Sequence, residues 1–419
     1  MNVFKALGSN LKSLSRRSKH DTRLLAQWPE EPLDLPADRR GGFYPATLGD
    51  NLNSTYTIVQ KLGWGQHSNV WLAKHEGHTT QAEVRRSQNI DCTRNASAMQ
   101  LSDELGLLQL VREVAGKSRN PGRRHVVTLI DSFKLSSTQG NHLCLVHEVM
   151  GRFPKVNGVG LPIPLVKAVA KQLLQALDFL HHECHVIHTD LKPDNFLVKL
   201  DNVETAVELQ KENLDPIVSG ISPKLSRPAI LSRPLRALSS GELLNLVQSP
   251  KFDVQLTDFG TAVATNGLHP ELIQPFALRA PEIILGREFG TSADIWNLGC
   301  LASLIFEFLT GRWLFAPRGG PTWTAEAYHL AHMPGMAGEE FDAAYFRTAK
   351  HFGEYFNNDS KLRLQVEGKP TLEKALRNYN IVGDDELPLC ISFLQSMLRL
   401  RPSDRAAATD LIQHDWLKV

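Results

Sequence analysis

The sequence predicts an α+β chain in two lobes, a small β-rich one followed by a larger helical one. Three observations predict it. From Tyr56, "YTIVQKLGWGQHSNVWLAKH" alternates apolar and polar residues on both sides of a glycine turn, as the strands of a hairpin do. "HVVTLIDSFKL" and "NHLCLVHEVMG" repeat that alternation and, with the first pair, frame a single helical pattern at residues 100–115. Beyond residue 164 the spacing of apolar residues becomes that of helices.

Each element has its own warrant. In "QLSDELGLLQLVREVA" the residues Leu101, Leu105, Leu108 and Val111 share one helical face. "PLVKAVAKQLLQALDFLHHE" does the same with Val166, Val169, Leu173, Leu177 and Leu180. "SADIWNLGCLASLIFEFLTG" is apolar nearly all round, the signature of a buried helix. The closing stretch "DELPLCISFLQSMLRLRPSDRAAATDLIQHDWL" reads as two helices joined at Pro402. The predicted organisation is a basic tail at 1–27, an extended surface lead-in at 28–55, a small lobe at 56–151 and a large lobe at 152–419. A Ser-rich, partly ordered insertion interrupts the large lobe at about 201–252. It carries LSRP at 225–228 and again at 231–234, too few copies for a repeat architecture.

At 419 residues the chain can bury a large core in two lobes. A formal charge of +1 gives no global field for nucleic acid or membrane, and neither partner is expected. Five scattered cysteines without CxxC spacing fit a reducing compartment, so the expected location is the cytoplasm, with the nucleus as a second. "LGCLASLIFEFLTG" is too short to span a bilayer and contains Glu307. The first twenty residues are basic and acid-free, a composition shared with mitochondrial presequences; a disordered tail is the preferred reading.

The motifs narrow the chemistry. "LGWGQHSNV", Leu62, Gly63, Trp64, Gly65, Gln66, His67, Ser68, Asn69 and Val70, is a GxGxxSxV turn whose backbone N–H groups could cover phosphates. Alone it is weak, because Gly-rich hairpins are common. "HVIHTDLKPDNFLV" then brings His188, Asp190, Lys192 and Asn195 in HxDxKxxN order. Asp190 suits an acceptor hydroxyl, Lys192 can neutralise a transferring phosphoryl group, and Asn195 offers a hard oxygen to Mg²⁺. "VQLTDFGTAV" follows with Asp258, a carboxylate to bridge Mg²⁺ and nucleotide phosphates. In "ALRAPEIILG" Glu282 is expected to pair with Arg405 as a buried structural pair, and Asp294 to hold the Asp190 loop.

Together these motifs resemble the eukaryotic protein kinases, from about Tyr56 to Leu417. "KLGWGQHSNVWLA", "HTDLKPDNFLV", the spacer of about fifty residues before DFG and "ADIWNLGCLASLIFEFLTGRWLF" resemble the SR-protein kinase family, and "IQPFALRAPEIILG" the form in its fungal members. The resemblance implies a bilobal kinase fold with a hinge near Glu148–Gly151 and transfer of the ATP γ-phosphate to Ser or Thr of a protein. It also implies ATP and Mg²⁺ as cofactors, the ions on Asn195 and Asp258, and adenine received near Glu148 and Met150. The expected state is a monomer. Arg/Ser-rich splicing factors are the implied substrates, docked in an acidic groove; "AGEEFDAAYF" could lend Glu339, Glu340 and Asp342, although a solvated helix end is the commoner meaning. The run "HHECHVIH" has zinc-like residue types, but the resemblance assigns it to a helix end and the catalytic loop.

Departures from the family pattern set the open questions. Thr189 stands where many kinases carry an Arg that reads an activation-segment phosphate, and the segment has only Thr261 and Thr265 as hydroxyls, so no phosphate switch is expected. Pro275 and Phe276 replace a hydroxyl and a basic residue. His147 replaces a bulky apolar residue before the hinge. Counting from Gly63 puts the family's strand-three lysine, partner of Glu104, at Arg85, in a hydrophilic strand with Glu83 and Arg86. Arg keeps the charge but not the geometry. Three readings stand: Arg85 or Lys74 substitutes with reduced activity, the chain is a pseudokinase or scaffold, or residues 76–100 come from a misread splice junction.

Overall fold

The computed structural model describes residues 30–33, 35, 39, 41–65, 68–75, 87–93 (backbone only), 103–154, 160–200, 230–300, 314–366, 368, 370–379 and 382–418. They divide into two compact units, one within residues 1–100, 131–146 and 211–234, the other within 101–130, 147–210 and 235–419.

The first unit is one antiparallel-rich sheet. Its strands are β1 (Asn51–Leu52), β2 (Tyr56–Trp64), β3 (Ser68–His75), β4 (Ser87–Thr93), β5 (Asp131–Ser137) and β6 (Gly140–Glu148), in the order β1-β2-β3-β4-β6-β5. Period-two alternation places Tyr56 and Ile58, Trp71 and Ala73, and Cys144 and Val146 in one buried cluster, with Phe133 and Leu135 against it. Two register shifts interrupt the β2–β3 ladder, between Ile58 and Gln60 and between Lys61 and Gly63. Such irregularities break the alternation, and here the consecutive polar residues Gln60 and Lys61 are both buried. The lead-in expected on the surface supplies the reason. Glu30 and Glu31 are only 8% and 1% exposed and both bond Lys61.

The described strand beside β3 is β4, Ser87–Thr93, and it sets Asp91 opposite Val70. Glu83, Arg85 and Arg86 lie outside the described residues.

The second unit begins with α1 (Glu104–Lys117), whose N-terminus is capped by the Asp103 carboxylate accepting from the Gly106 N–H. Leu108 and Val111 are buried as expected, joined by Leu107; Leu105 is half-buried and Leu101 lies outside the described residues. There follow β7 (Met150–Arg152), α2 (Ile163–Phe179), β8 (Val186–Ile187), β9 (Phe196–Lys199), α3 (Ser240–Val247), β10 (Val254–Leu256), β11 (Val263–Ala264), α4 (Pro281–Leu285) and α5 (Ser292–Cys300). The chain closes with α6 (Ala325–Ala337), α7 (Ala343–Phe346), α8 (Phe352–Tyr355), α9 (Leu372–Tyr379), α10 (Leu387–Met397) and α11 (Ala408–Ile412). Val166, Val169, Leu173, Leu177 and Leu180 are all buried. Each such side chain contributes about 1.5–3 kcal/mol relative to exposure, which anchors α2 and the loop it delivers. Every residue of α5 from Ala293 to Cys300 is buried. Gly299 lets α10 approach: a Cβ there would meet that of Met397 at 2.6 Å. No described helix is long and apolar enough to cross a membrane.

Candidate active site

The loop carrying Asp190 is set up by the way α2 ends. Its last turn widens to a π-turn over Leu180–Cys184, closed by His185 in the left-handed region (φ 55°). The chain can then pair Ile187 with Val263 and Val186 with Ala264. Next, the backbone N–H groups of His188 and Thr189 each donate to the Asp294 carboxylate at 2.8 Å. His181 Nε2 lies 2.9 Å from the same fully buried carboxylate. Asp294 is thus the scaffold group that the sequence indicated.

Histidine tautomers follow from their partners. His188 Nε2 is 2.9 Å from the Thr257 carbonyl, which can only accept, so Nε2 carries the proton. Nδ1 is then the acceptor for the Asp190 N–H, at 3.4 Å. The same ring packs edge-on against buried Phe259, with centroids 5.2 Å apart. The rest of the histidine run is committed elsewhere: His182 bonds Asp178, and burial, with the charge of Glu183, pushes the Cys184 thiol up to about 12.

The candidate catalytic residues converge. Lys192 Nζ donates to Asp190 Oδ2 at 2.5 Å, and Asn195 Nδ2 donates to the Asp190 carbonyl at 2.8 Å and to Oδ2 at 3.3 Å. Both side-chain bonds use Oδ2, so among the described residues Oδ1 is the oxygen left to receive an incoming hydroxyl. With its nitrogen occupied, Asn195 presents Oδ1 to a cation. The β9–β10 hairpin, pairing Phe196 with Leu256, brings Asn195 beside the segment leading to Asp258, and the Asn195 carbonyl accepts from the Thr257 N–H at 2.9 Å. Asp258 adopts φ 65°, the kind of sparsely populated backbone that clusters at functional sites. Its Oδ1 accepts from the Gly260 N–H at 3.3 Å. A Cβ on Gly260 would stand 3.2 Å from that oxygen and 3.8 Å from the Glu104 carboxylate, so glycine permits the approach of Glu104, Asp258 and the loop. Asn195 and Asp258 are hard oxygen donors that fit Mg²⁺.

Other sequence-predicted residues are placed separately. In the first unit, Gly63 and Val70 face each other across the turn, and the Gly65 N–H donates to the Ser68 carbonyl at 2.8 Å. A Cβ on Gly63 or Gly65 would meet nothing within 4 Å among the described residues, so their packing does not demand these glycines. Leu62 is half-buried and Trp64 exposed, while Gln66 and His67 lie outside the described residues. Asn69 turns into the protein, donating to Glu31 and to the Tyr44 carbonyl. In the second unit, Glu148 pairs with Lys199 at 2.7 Å, and Met150 opens β7, opposite Lys199 of β9. Burial pushes His147 down to about 4 against its bond to the Thr128 carbonyl, so it is neutral at physiological pH. Glu339 pairs with Arg399 at 2.6 Å, and Asp342 lies 3.7 Å from Arg401 with both side chains partly exposed. Sequence reasoning missed Gln274. At φ 70° its side chain donates to Ala293 O and accepts from the Ala280 N–H, bracing the segment before α4; no motif marked it.

Thr189 is held within the chain. Its hydroxyl donates to the Thr261 carbonyl at 2.8 Å and lies 3.1 Å from the Thr261 hydroxyl, tying the loop directly to the segment after Asp258. Thr189→Val should cost about 1 kcal/mol for the lost bond. It should also lower kcat more than KM. Unchanged melting and kcat would mean that the β8–β11 pairing alone holds the segment.

A protein kinase domain model matches residues 56–209 and 243–417. The chain is 31% identical over 401 residues to the serine/threonine-protein kinase SRPK of Physarum polycephalum, covering 90% of this chain and 89% of that one. It is 26% identical over 544 residues to SRSF protein kinase 3 of Homo sapiens (94% and 92%), and 28% over 466 residues to protein kinase dsk1 of Schizosaccharomyces pombe (90% and 83%). The crystal structure of a kinase domain matches at TM-score 0.62 and 21% identity, over 90% of this chain and 99% of that one, a likeness of fold.

Proposed function

The chain belongs to the protein kinase family as a serine/threonine kinase of the SRPK type, and from that premise we propose that it transfers the γ-phosphate of ATP to serines of Arg/Ser-rich proteins. The observation that carries this reading is the convergence of Lys192 and Asn195 on Oδ2 of Asp190, which leaves Oδ1 for the acceptor. Asp190 orients the hydroxyl and takes its proton, and Lys192, partly exposed, stabilises the charge of the moving phosphoryl group. Mg²⁺ held by Asn195 Oδ1 and the Asp258 carboxylate would neutralise charge on the nucleotide phosphates. The backbone N–H groups of the Gly63–Val70 turn suit phosphate, and backbone groups near Glu148 and Met150 suit adenine.

A second reading, nucleotide binding without efficient transfer, is favoured by one observation. Among the described residues, the strand beside β3, Ser87–Thr93, contains neither Lys nor Arg. Most phosphoryl-transfer catalysis is positioning, so a missing phosphate clamp costs rate before it costs binding. Lys74, four residues along β3 from Val70, stands about 13 Å from it.

The test is γ-labelled ATP with Mg²⁺ and an Arg/Ser-repeat peptide, beside the same peptide with tyrosine in place of serine. Label on the serine peptide alone supports transfer. A rise in melting temperature with ATP but no label on either peptide would select the second reading.

A further inference from the structure

A buried polar latch joins three parts of the smaller unit that are far apart in sequence. Lys61, on the strand entering the glycine turn, is 2% exposed and donates to Glu30 Oε2 at 2.7 Å, to Glu31 Oε2 and to the Ile230 carbonyl at 3.1 Å. Asn69 adds a bond to Glu31 Oε1 at 3.2 Å. The segment after the insertion closes the latch from the other side. The Ser232 N–H donates to Glu30 Oε1 at 2.6 Å and its hydroxyl to Glu30 Oε2 at 2.7 Å. The Arg233 N–H donates to the Lys61 carbonyl at 2.8 Å, and Gln60 Nε2 to the Arg233 carbonyl at 2.6 Å. The lead-in, expected on the surface, and the second LSRP copy, expected in a partly ordered insertion, thus meet around one buried lysine.

Ser232 is the vulnerable member. It is half-buried, and its hydroxyl is a donor to a carboxylate, a role that a phosphate ester cannot fill. Two carboxyl groups already share one ammonium. A phosphate brings a further charge of about −1.5 to −2 beside Glu30, and in a buried setting that repulsion is little screened. Ser232–Arg233 is itself a serine–arginine dipeptide, the element repeated in the substrates proposed above.

We propose that Ser232 is a phosphorylation site, modified by a second copy of this chain, and that its phosphate opens the Glu30–Lys61 latch. The identity of the catalyst rests on the proposed kinase activity; the latch does not. In the step, Ser232 Oγ forms a bond to the γ-phosphorus of ATP and the bond to the β,γ-bridging oxygen breaks. ADP departs, and the hydroxyl proton passes to Asp190 of the second copy.

The experiment has two arms. Hydrogen exchange on the full chain compares wild type with Ser232→Ala, Ser232→Asp and Ser232→Asp/Glu30→Gln. Ser232→Asp should speed amide exchange at residues 30–33 and 230–234 by about tenfold, well beyond Ser232→Ala, and Glu30→Gln should restore most of the protection. Equal exchange in Ser232→Asp and Ser232→Ala would overturn the latch, because added charge would then do nothing. In the second arm, wild type and Asp190→Ala are incubated with ATP and Mg²⁺ beside an Arg/Ser peptide, and phosphates are mapped. Phosphate on Ser232 in wild type alone supports the site. A labelled peptide with unmodified Ser232 overturns it and leaves the kinase reading intact. No label on either removes self-modification together with the kinase reading, and the exchange arm then decides the latch.

Discussion

Asp190→Ala is expected to lower kcat for an Arg/Ser peptide by about 10² to 10⁴-fold, the range for loss of a positioned general base, with little change in the KM for ATP. The geometry predicts how that loss divides. Asp190 Oδ2 is also the acceptor for Lys192 and Asn195, so alanine removes the base and releases two neighbours at once. Asp190→Asn separates the effects. Its amide oxygen can still accept from Lys192, but it cannot take a proton. If asparagine is as damaging as alanine, proton acceptance dominates. If asparagine keeps a large part of the rate, Asp190 works mainly by holding Lys192 and Asn195. A wild-type rate already as low as that of Asp190→Ala would remove catalysis from this loop, and Arg85→Lys is then the informative variant. Recovery there would trace the silence to the phosphate clamp alone.

The sequence carried the catalytic loop and missed the latch for one physical reason. His188, Asp190, Lys192 and Asn195 fall within eight residues, so local backbone geometry brings them together. Asp258 follows a short apolar strand whose pairing with β9 could be anticipated. The Glu282–Arg405 pair and the Asp294 role were expected from the motifs that carry them, and the structure brings both together across long separations. No such guide existed for Glu30, Glu31 and Lys61. A Pro- and acid-rich stretch is ordinarily solvated, and only the break in the β2–β3 alternation turns Lys61 inward to meet it. The strand-three lysine is a different case: Glu83, Arg85 and Arg86 lie outside the described residues, and the described strand beside β3 is Ser87–Thr93.

The largest stability loss is expected at Arg405. Its guanidinium meets both oxygens of Glu282 at 2.7 Å, with both side chains fully buried, and it also donates to the carbonyls of Arg399 and Ser292. Arg405→Met fills similar volume but leaves the Glu282 carboxyl without its partner, a change worth about 3–5 kcal/mol of destabilisation. Arg405→Lys should recover only part of this, since a point ammonium cannot match both oxygens and the two carbonyls. In Arg405→Met/Glu282→Leu the orphaned group is gone, and the double variant should be more stable than Arg405→Met alone. Urea unfolding followed through tryptophan fluorescence reads the series, because Trp296 lies under the guanidinium at 4.9 Å. An Arg405→Met loss below about 1 kcal/mol would mean that the pair is solvated and contributes as surface bridges do. The consequence extends to catalysis. Arg405 joins α4, through Glu282, to the start of α5, through Ser292, and α5 carries the Asp294 carboxylate that holds the His188 and Thr189 amides. Loosening that junction should therefore lower kcat at temperatures where the protein is still folded, with no residue near the substrate changed.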